Sequence, residues 1–473
     1  MKKLLCLTTA LSMAAYAAGA AEIAVNESQR TDTQISVYKN MALVKDSRNI
    51  YLPAGESELS FEGVAERMRP ETAVLLAVGV NVLEQNYDYN LITAQNLMQK
   101  YVGKKVKTAV ENPKTGETVF SDAEIVSQSY GTPVLKFSYG IDPSFNGRII
   151  YPEIPADLQA KPSLAAKIMN ETAAQKEISL MYLTGGLSWD SNYVATLLSD
   201  SELNLKGWVT VNNVSGIDYK NAKISFVAGN VNEQIARPIM AKGMRMMAMA
   251  ANTMDTIAEA AAMPDEQSLA GYHMYNIPFR VDLAANQTKQ LSLLEGDMVK
   301  YHKNLVLNSP LYFGQNSASS FEKSTLTQSY VINNSTEDNL GIPLPSGTVR
   351  FYQRDKDGNL QFIGEDRISH TPKNEELKLN LGDAFDVFAS GSITSNRKVS
   401  ENVSEFEAKV KFTNSSDKDV DVVFKQSFPA QYKILSENMP GESKDIRRNE
   451  WKFKVEADKS VELNFGVQII YGK

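Results

Sequence analysis

Cysteine is almost absent from this 473-residue chain: the single one, Cys6, lies inside the first 20 residues. Disulfides, cysteine nucleophiles, iron–sulfur clusters and Cys-type zinc sites are therefore excluded from everything downstream of it. Histidine is nearly as scarce. His273, His302 and His370 are the only three, and no two have the three- or four-residue spacing that sets a pair of ligands on one helix face. They read as separate imidazoles rather than as a metal site, and no cofactor is expected. Glycine (27) and proline (17) are too few for a collagen-like or wholly disordered chain. Positive charge is in deficit as well, with 49 Lys and Arg against 56 Asp and Glu. With no basic run interleaved with aromatics, a general nucleic-acid binder is not expected. Beyond the first 20 residues no uninterrupted apolar run reaches the ~18 residues of a membrane helix.

What is present begins with an export signal. Lys2 and Lys3 precede an apolar, acid-free run over residues 4–18, and Ala18-Gly19-Ala20 supplies a small-residue cleavage site. Cleavage is expected after Ala20 or Ala21. Residues 1–20 carry two lysines and no acid, so their removal takes the net charge from −7 to −9. The mature chain is expected in the periplasm, with the cell surface or secretion as alternatives, either free or peripherally attached to a membrane.

At roughly 150 residues per domain, the length predicts about three domains, and their texture is β. Residues 22–84 read as an N-terminal β domain, in which Val74, Leu76, Val78, Val80 and Val82 suggest a strand buried on both faces. Residues 85–150 read as a small barrel-like module. It has a short helix capped by Thr93 and a turn at Asn112 to Gly116. Pro152, Pro155 and Pro162 mark residues 151–176 as a linker. A β-sandwich domain is expected over 177–397 and further sandwich strands over 398–473. There, Phe406, Ala408, Val410 and Phe412, then Leu463, Phe465, Val467 and Ile469, alternate with polar residues. An outer-membrane barrel is the rival all-β reading, against which stand the uneven strand lengths, the scattered prolines and the lack of aromatic girdles. Asp355-Lys356-Asp357-Gly358 predicts a hairpin rather than a calcium loop, because the ligand spacing is incomplete.

Residues 238–264 stand apart, holding seven of the 17 methionines. Met240, Met244, Met247 and Met254 step by four, three and seven, which on a helix makes one stripe. The segment is read as a helical insertion and as the best candidate contact for a protein or envelope partner, since thioethers suit adaptable apolar contacts. Packing on its own domain and copper(I) binding are the alternatives. Deleting residues 240–263 is expected to leave the β domains folded. A second candidate is polar: Glu365, Asp366 and Asp386 lie near His370 in sequence, and carboxylates beside an imidazole can orient a general base. No Gly-x-Ser-x-Gly elbow accompanies them. Trp189, Tyr193 and Trp208 could stack on a sugar, although tryptophan in a strand more often anchors a core.

Several segments together resemble a known family. Leu183-Thr-Gly-Gly-Leu-Ser-Trp189-Asp-Ser-Asn-Tyr193-Val, Gly207-Trp208-Val-Thr-Val-Asn-Asn-Val-Ser215-Gly216 and Val227-Ala-Gly-Asn-Val-Asn232 are similar to the bacterial family catalogued as domain of unknown function 4139. So are Gly341-Ile-Pro343-Leu-Pro345-Ser-Gly347-Thr-Val-Arg350-Phe-Tyr352, Gly364-Glu-Asp-Arg-Ile-Ser-His370-Thr-Pro372 and Leu381-Gly-Asp-Ala-Phe-Asp386. Residues 34–82 resemble the N-terminal companion region of mucoidy inhibitor A-like proteins. The resemblance implies an exported, β-rich bacterial envelope protein and hands over no catalytic residues. The expectation is a non-enzymatic binding or structural module acting through its surfaces. An envelope hydrolase using the region around His370, or a glycan-binding protein, is the alternative.

Overall fold

A computed structural model describes residues 21–88, 91–129, 132–155, 158–229, 265–269, 271–314 and 319–471. The chain is mainly β, 68% strand and 4% helical, arranged in several sheets as expected of multidomain sandwiches. It forms two compact units that exchange the chain more than once. The first is Met1–Ser188, Asn212–Ser225 and Phe279–Gln287; the second is Trp189–Val211, Phe226–Pro278 and Thr288–Lys473. The divisions therefore differ from a succession of consecutive domains, because strands distant in sequence complete one another's sheets.

In the first unit Ala21–Val25 lies parallel to Gly55–Glu62, which pairs with Ser163–Asn170 and through it with Val80–Asp88. The stretch read as a linker thus contains a strand inside a sheet, with Leu164, Ala166 and Ile168 buried on one face. Prolines crowd only its approach, whereas the alternation that follows Pro162 drives the pairing. The strand expected over residues 74–82 is also different. It breaks into Val74–Leu76 and Val80–Asp88 around Gly79, whose φ is +67°. Leu75 takes the buried face while Val78 is 91% exposed. Every residue from 74 to 78 is apolar, so the period of two could not say which set faces inward.

Asp46 accepts from Arg30 (2.8 Å) and from Arg48 (2.8 Å), and Arg48, fully buried, donates to the Val25 carbonyl (2.6 Å) while lying over the Phe61 ring. A buried guanidinium needs such partners. Here they anchor the first strand to the sheet beside it.

The small module is an open five-stranded sheet, and no closed barrel is found among the described residues. Its edge strands, Gly140–Asp142 and Arg148–Ile150, are three residues each, too short to meet and close. The helix forms as expected: Ala94–Lys100, with the Thr93 hydroxyl accepting from the Asn96 amide (3.1 Å). Tyr101, Val106, Ile125, Leu135 and Phe137 make the module's own core.

In the second unit a five-stranded sheet runs in the order Gln287–Lys300, Glu202–Asn213, Leu187–Leu197, Gly347–Arg354, Leu360–Ile368. A nine-stranded sheet has Gln431–Glu437 and Gly441–Asp445 as its two outermost strands, separated by only three residues. The edges meet through side chains. Tyr432 Oη donates to Ser443 Oγ (2.8 Å), and Trp451 Nε1 donates to Glu437 Oε2 (2.8 Å). The alternating residues of the 403–414 and 460–470 strands bury Phe406, Val410, Phe412, Leu463, Phe465 and Val467 around Trp451.

Buried asparagines close strand ends, Asn414, Asn213 and Asn334 among them. Asn414 Nδ2 reaches the carbonyls of Lys418, Val455 and Glu456, and its Oδ1 accepts from the Ser416 amide and hydroxyl. Asn213 does the same with Ile217, Leu283, Ala284 and Ser215, and Asn334 with Ile342, Pro372 and Gly341. Turn carbonyls that would otherwise be buried without a donor are satisfied in this way.

Candidate functional site

Within the second unit a cleft of about 520 Å³ opens where two polar turns meet a strand pair. One turn, residues 198–201, joins the 187–197 and 202–213 strands. Ser199 Oγ accepts from the Glu202 amide (3.1 Å), which holds the turn and sets Asp200 outward. The other, residues 415–419, is held by Asn414. Lys418 reaches across to Asp200 at 2.8 Å and links the two turns.

The cleft wall comes from the His302–Asn308 and Ser320–Asn333 strands. Lys303 and Tyr330 are register partners, so the ammonium lies 5.5 Å from the ring centroid of Tyr330, which packs 5.4 Å from Tyr301. Tyr301 is fixed by its hydroxyl, which donates to the Ser199 carbonyl (2.8 Å). Burial pushes both phenols above the ordinary tyrosine value, so they remain neutral donors. Burial against the wall, with the charge of Lys418 nearby, holds the Lys303 ammonium below the ordinary lysine value and outweighs the attraction of Asp200. The Lys303 side chain as a whole is nonetheless exposed, so it keeps access to the cleft. Among the described residues no carboxylate lies within ion-pair distance of it.

The rim is made by a bulge. Thr325 pairs with Phe388 and Thr327 with Asp383, so residues 384–387 all stand opposite Leu326. Such an excess expels part of a strand from its ladder and re-aims its side chains. Ala384 and Val387 turn inward, Asp386 is exposed, and Phe385 is 92% exposed. Asp383 locks the base of the bulge by accepting from the hydroxyls of Thr325 (2.9 Å) and Thr327 (3.3 Å).

The four residues of the polar candidate are not brought together. Glu365 pairs with its cross-strand partner Arg350 at 3.0 Å. Asp366 accepts from the amides of Arg367 and Asn380 (2.8 Å each). His370 accepts from the Ser346 amide at Nδ1 (3.2 Å). Asp386 alone lines the cleft. Glu365 and Asp366, neighbours on one strand, point to opposite faces, while His370 lies beyond the end of that strand and Asp386 on the 376–400 strand.

His273 bonds Glu266 at 2.6 Å, and His302 lines the cleft. Asp355 accepts from the amides of Asp357 and Asn359 and from Gln361, which accounts for its carboxylate within the hairpin. Among the described residues no group of three His, Asp or Glu could hold a metal. Trp189 and Tyr193 are buried, the latter donating to the Pro345 carbonyl (2.7 Å), so only Trp208 of the aromatic trio is exposed. Met240, Met244, Met247 and Met254 lie outside the described residues. Asp200, Tyr301, Lys303, Tyr330, Phe385 and Lys418 were not singled out in the sequence. Asp200 and Lys418 leave a trace there as two polar strand-end turns, Ser199-Asp200-Ser201 and Ser416-Asp417-Lys418-Asp419, and Phe385 lies in the segment Leu381 to Asp386 quoted for the family resemblance. No family model matches the chain, and no curated protein matches it.

Proposed function

We propose that this protein is an exported bacterial envelope protein that binds a partner or ligand through its surfaces and catalyses no reaction, with the cleft of the second unit as its recognition site. The observation that carries the reading is the bulge, which presents Phe385 to solvent at the rim of a cleft. Exposure of so large a ring costs roughly 1.5–3 kcal/mol relative to burial, and a site that covers it on binding recovers that energy. Lys2, Lys3 and the apolar run over residues 4–18 support export. The segments similar to the family named above support an envelope role, with periplasmic residence.

The Ser346 hydroxyl lies 3.4 Å from His370 Nε2, but Glu365 is committed to Arg350 and Asp366 to the amides of Arg367 and Asn380 rather than to the imidazole, which supports binding over hydrolysis. Among the described residues no helix is long and apolar enough to cross a membrane.

The test is affinity purification of the full mature chain from its native envelope with mass spectrometry, beside Phe385→Ala. The wild-type chain is expected to retain a specific envelope component that the variant loses by tenfold or more, with no turnover of glycans, peptides or esters. Equal recovery by both would remove the cleft from the reading. Turnover abolished by His370→Ala would establish the hydrolase instead.

A further inference from the structure

The charges of the cleft are segregated, and their arrangement names a ligand chemistry. On the wall stands Lys303, its ammonium over the Tyr330 ring. A cation over an aromatic face keeps its charge available to an anion on its other side. At the rim stand Asp386, Asp417 and Asp421, exposed carboxylates with no hydrogen-bond or ion-pair partner for their side chains among the described residues. Between the two sets Lys418 and Asp200 neutralise each other. A purely anionic ligand would face the rim, and a purely cationic one would face Lys303. A ligand carrying both charges satisfies both. The cleft volume lies within the range of small-molecule sites.

Resting on the binding reading above, we propose that the cleft takes a zwitterionic short peptide, its carboxylate paired with Lys303, its amine among Asp386, Asp417 and Asp421, and its side chains against Phe385.

The experiment uses the full mature chain and a library of dipeptides with free termini, each also prepared N-acetylated and C-amidated, with binding read by calorimetry and ligand-detected magnetic resonance. Free dipeptides are expected to bind, and either blocking group is expected to weaken them at least tenfold. Lys303→Gln should cause a comparable loss, abolishing the preference for a free carboxylate. The double variant Asp417→Asn and Asp421→Asn, in an exposed turn, should abolish the preference for a free amine. Absence of dipeptide binding, or binding indifferent to blocking and to both variants, overturns the proposal. If the Phe385-dependent envelope component is still captured in that case, the binding reading stands and only the zwitterionic ligand falls. If neither is seen, both fall.

Discussion

At the residue scale, the molecule places polar side chains where the backbone cannot satisfy itself. Asn414 is the clearest instance. Its amide bridges carbonyls of two separate turns and its oxygen accepts from Ser416. Asn414→Ala leaves buried acceptors without donors, at about 1–3 kcal/mol each, so a loss of roughly 2 kcal/mol or more is expected in urea unfolding of the mature chain. Asn414→Asp, which keeps the acceptor and loses the donors, should recover little of it. The turn at Asn414 was legible in the sequence as a cluster of polar residues between two alternating runs. That its asparagine is buried was not, since an identical side chain in a solvated turn has the same local pattern. The same limit hid Lys303, which reads as an ordinary strand lysine until Tyr330 is placed beside it.

Among the elements, period-two alternation was a dependable guide wherever one face is polar. The 403–414 strand keeps Glu407, Lys409 and Lys411 exposed while Phe406, Val410 and Phe412 are buried. It failed where both faces are apolar, as at residues 74–78, and where a strand leaves its ladder, as in the bulge at 384–387. The bulge depends on the count of residues between two pairing points, which only the partner strand supplies. The Ala21–Val25 strand is anchored by a buried charge cluster. Asp46→Ala strips both Arg30 and the buried Arg48 of their carboxylate, and breaking such a pair costs about 3–5 kcal/mol. Hydrogen exchange should quicken first in residues 21–25, because Arg48 also holds the Val25 carbonyl. Unchanged protection there would show that pairing with Gly55–Glu62 suffices.

At the scale of the whole molecule, two cores among the described residues are separate. The small module packs around Tyr101 and Ile125, and the C-terminal strands pack around Trp451. Trp451→Ala removes a fully buried indole and its bond to Glu437, for an expected loss of about 3–5 kcal/mol. Amide exchange in the 105–111 and 118–129 strands should not change; acceleration there would mean that the cores unfold as one. The sequence by itself determined the β class, the absence of thiol chemistry after residue 20, and the strands with one polar face, because each follows from composition or from contacts within a few residues. Tertiary structure alone decided that two units exchange strands, that the proline-rich approach leads into a sheet, that the residues around His370 separate, and that Asp200, Lys303, Phe385 and Lys418 share a cleft. The 163–170 strand and the Asp200–Lys418 link rest on partners more than 100 residues away, where the energy lies in which strands meet, and no local pattern encodes that choice.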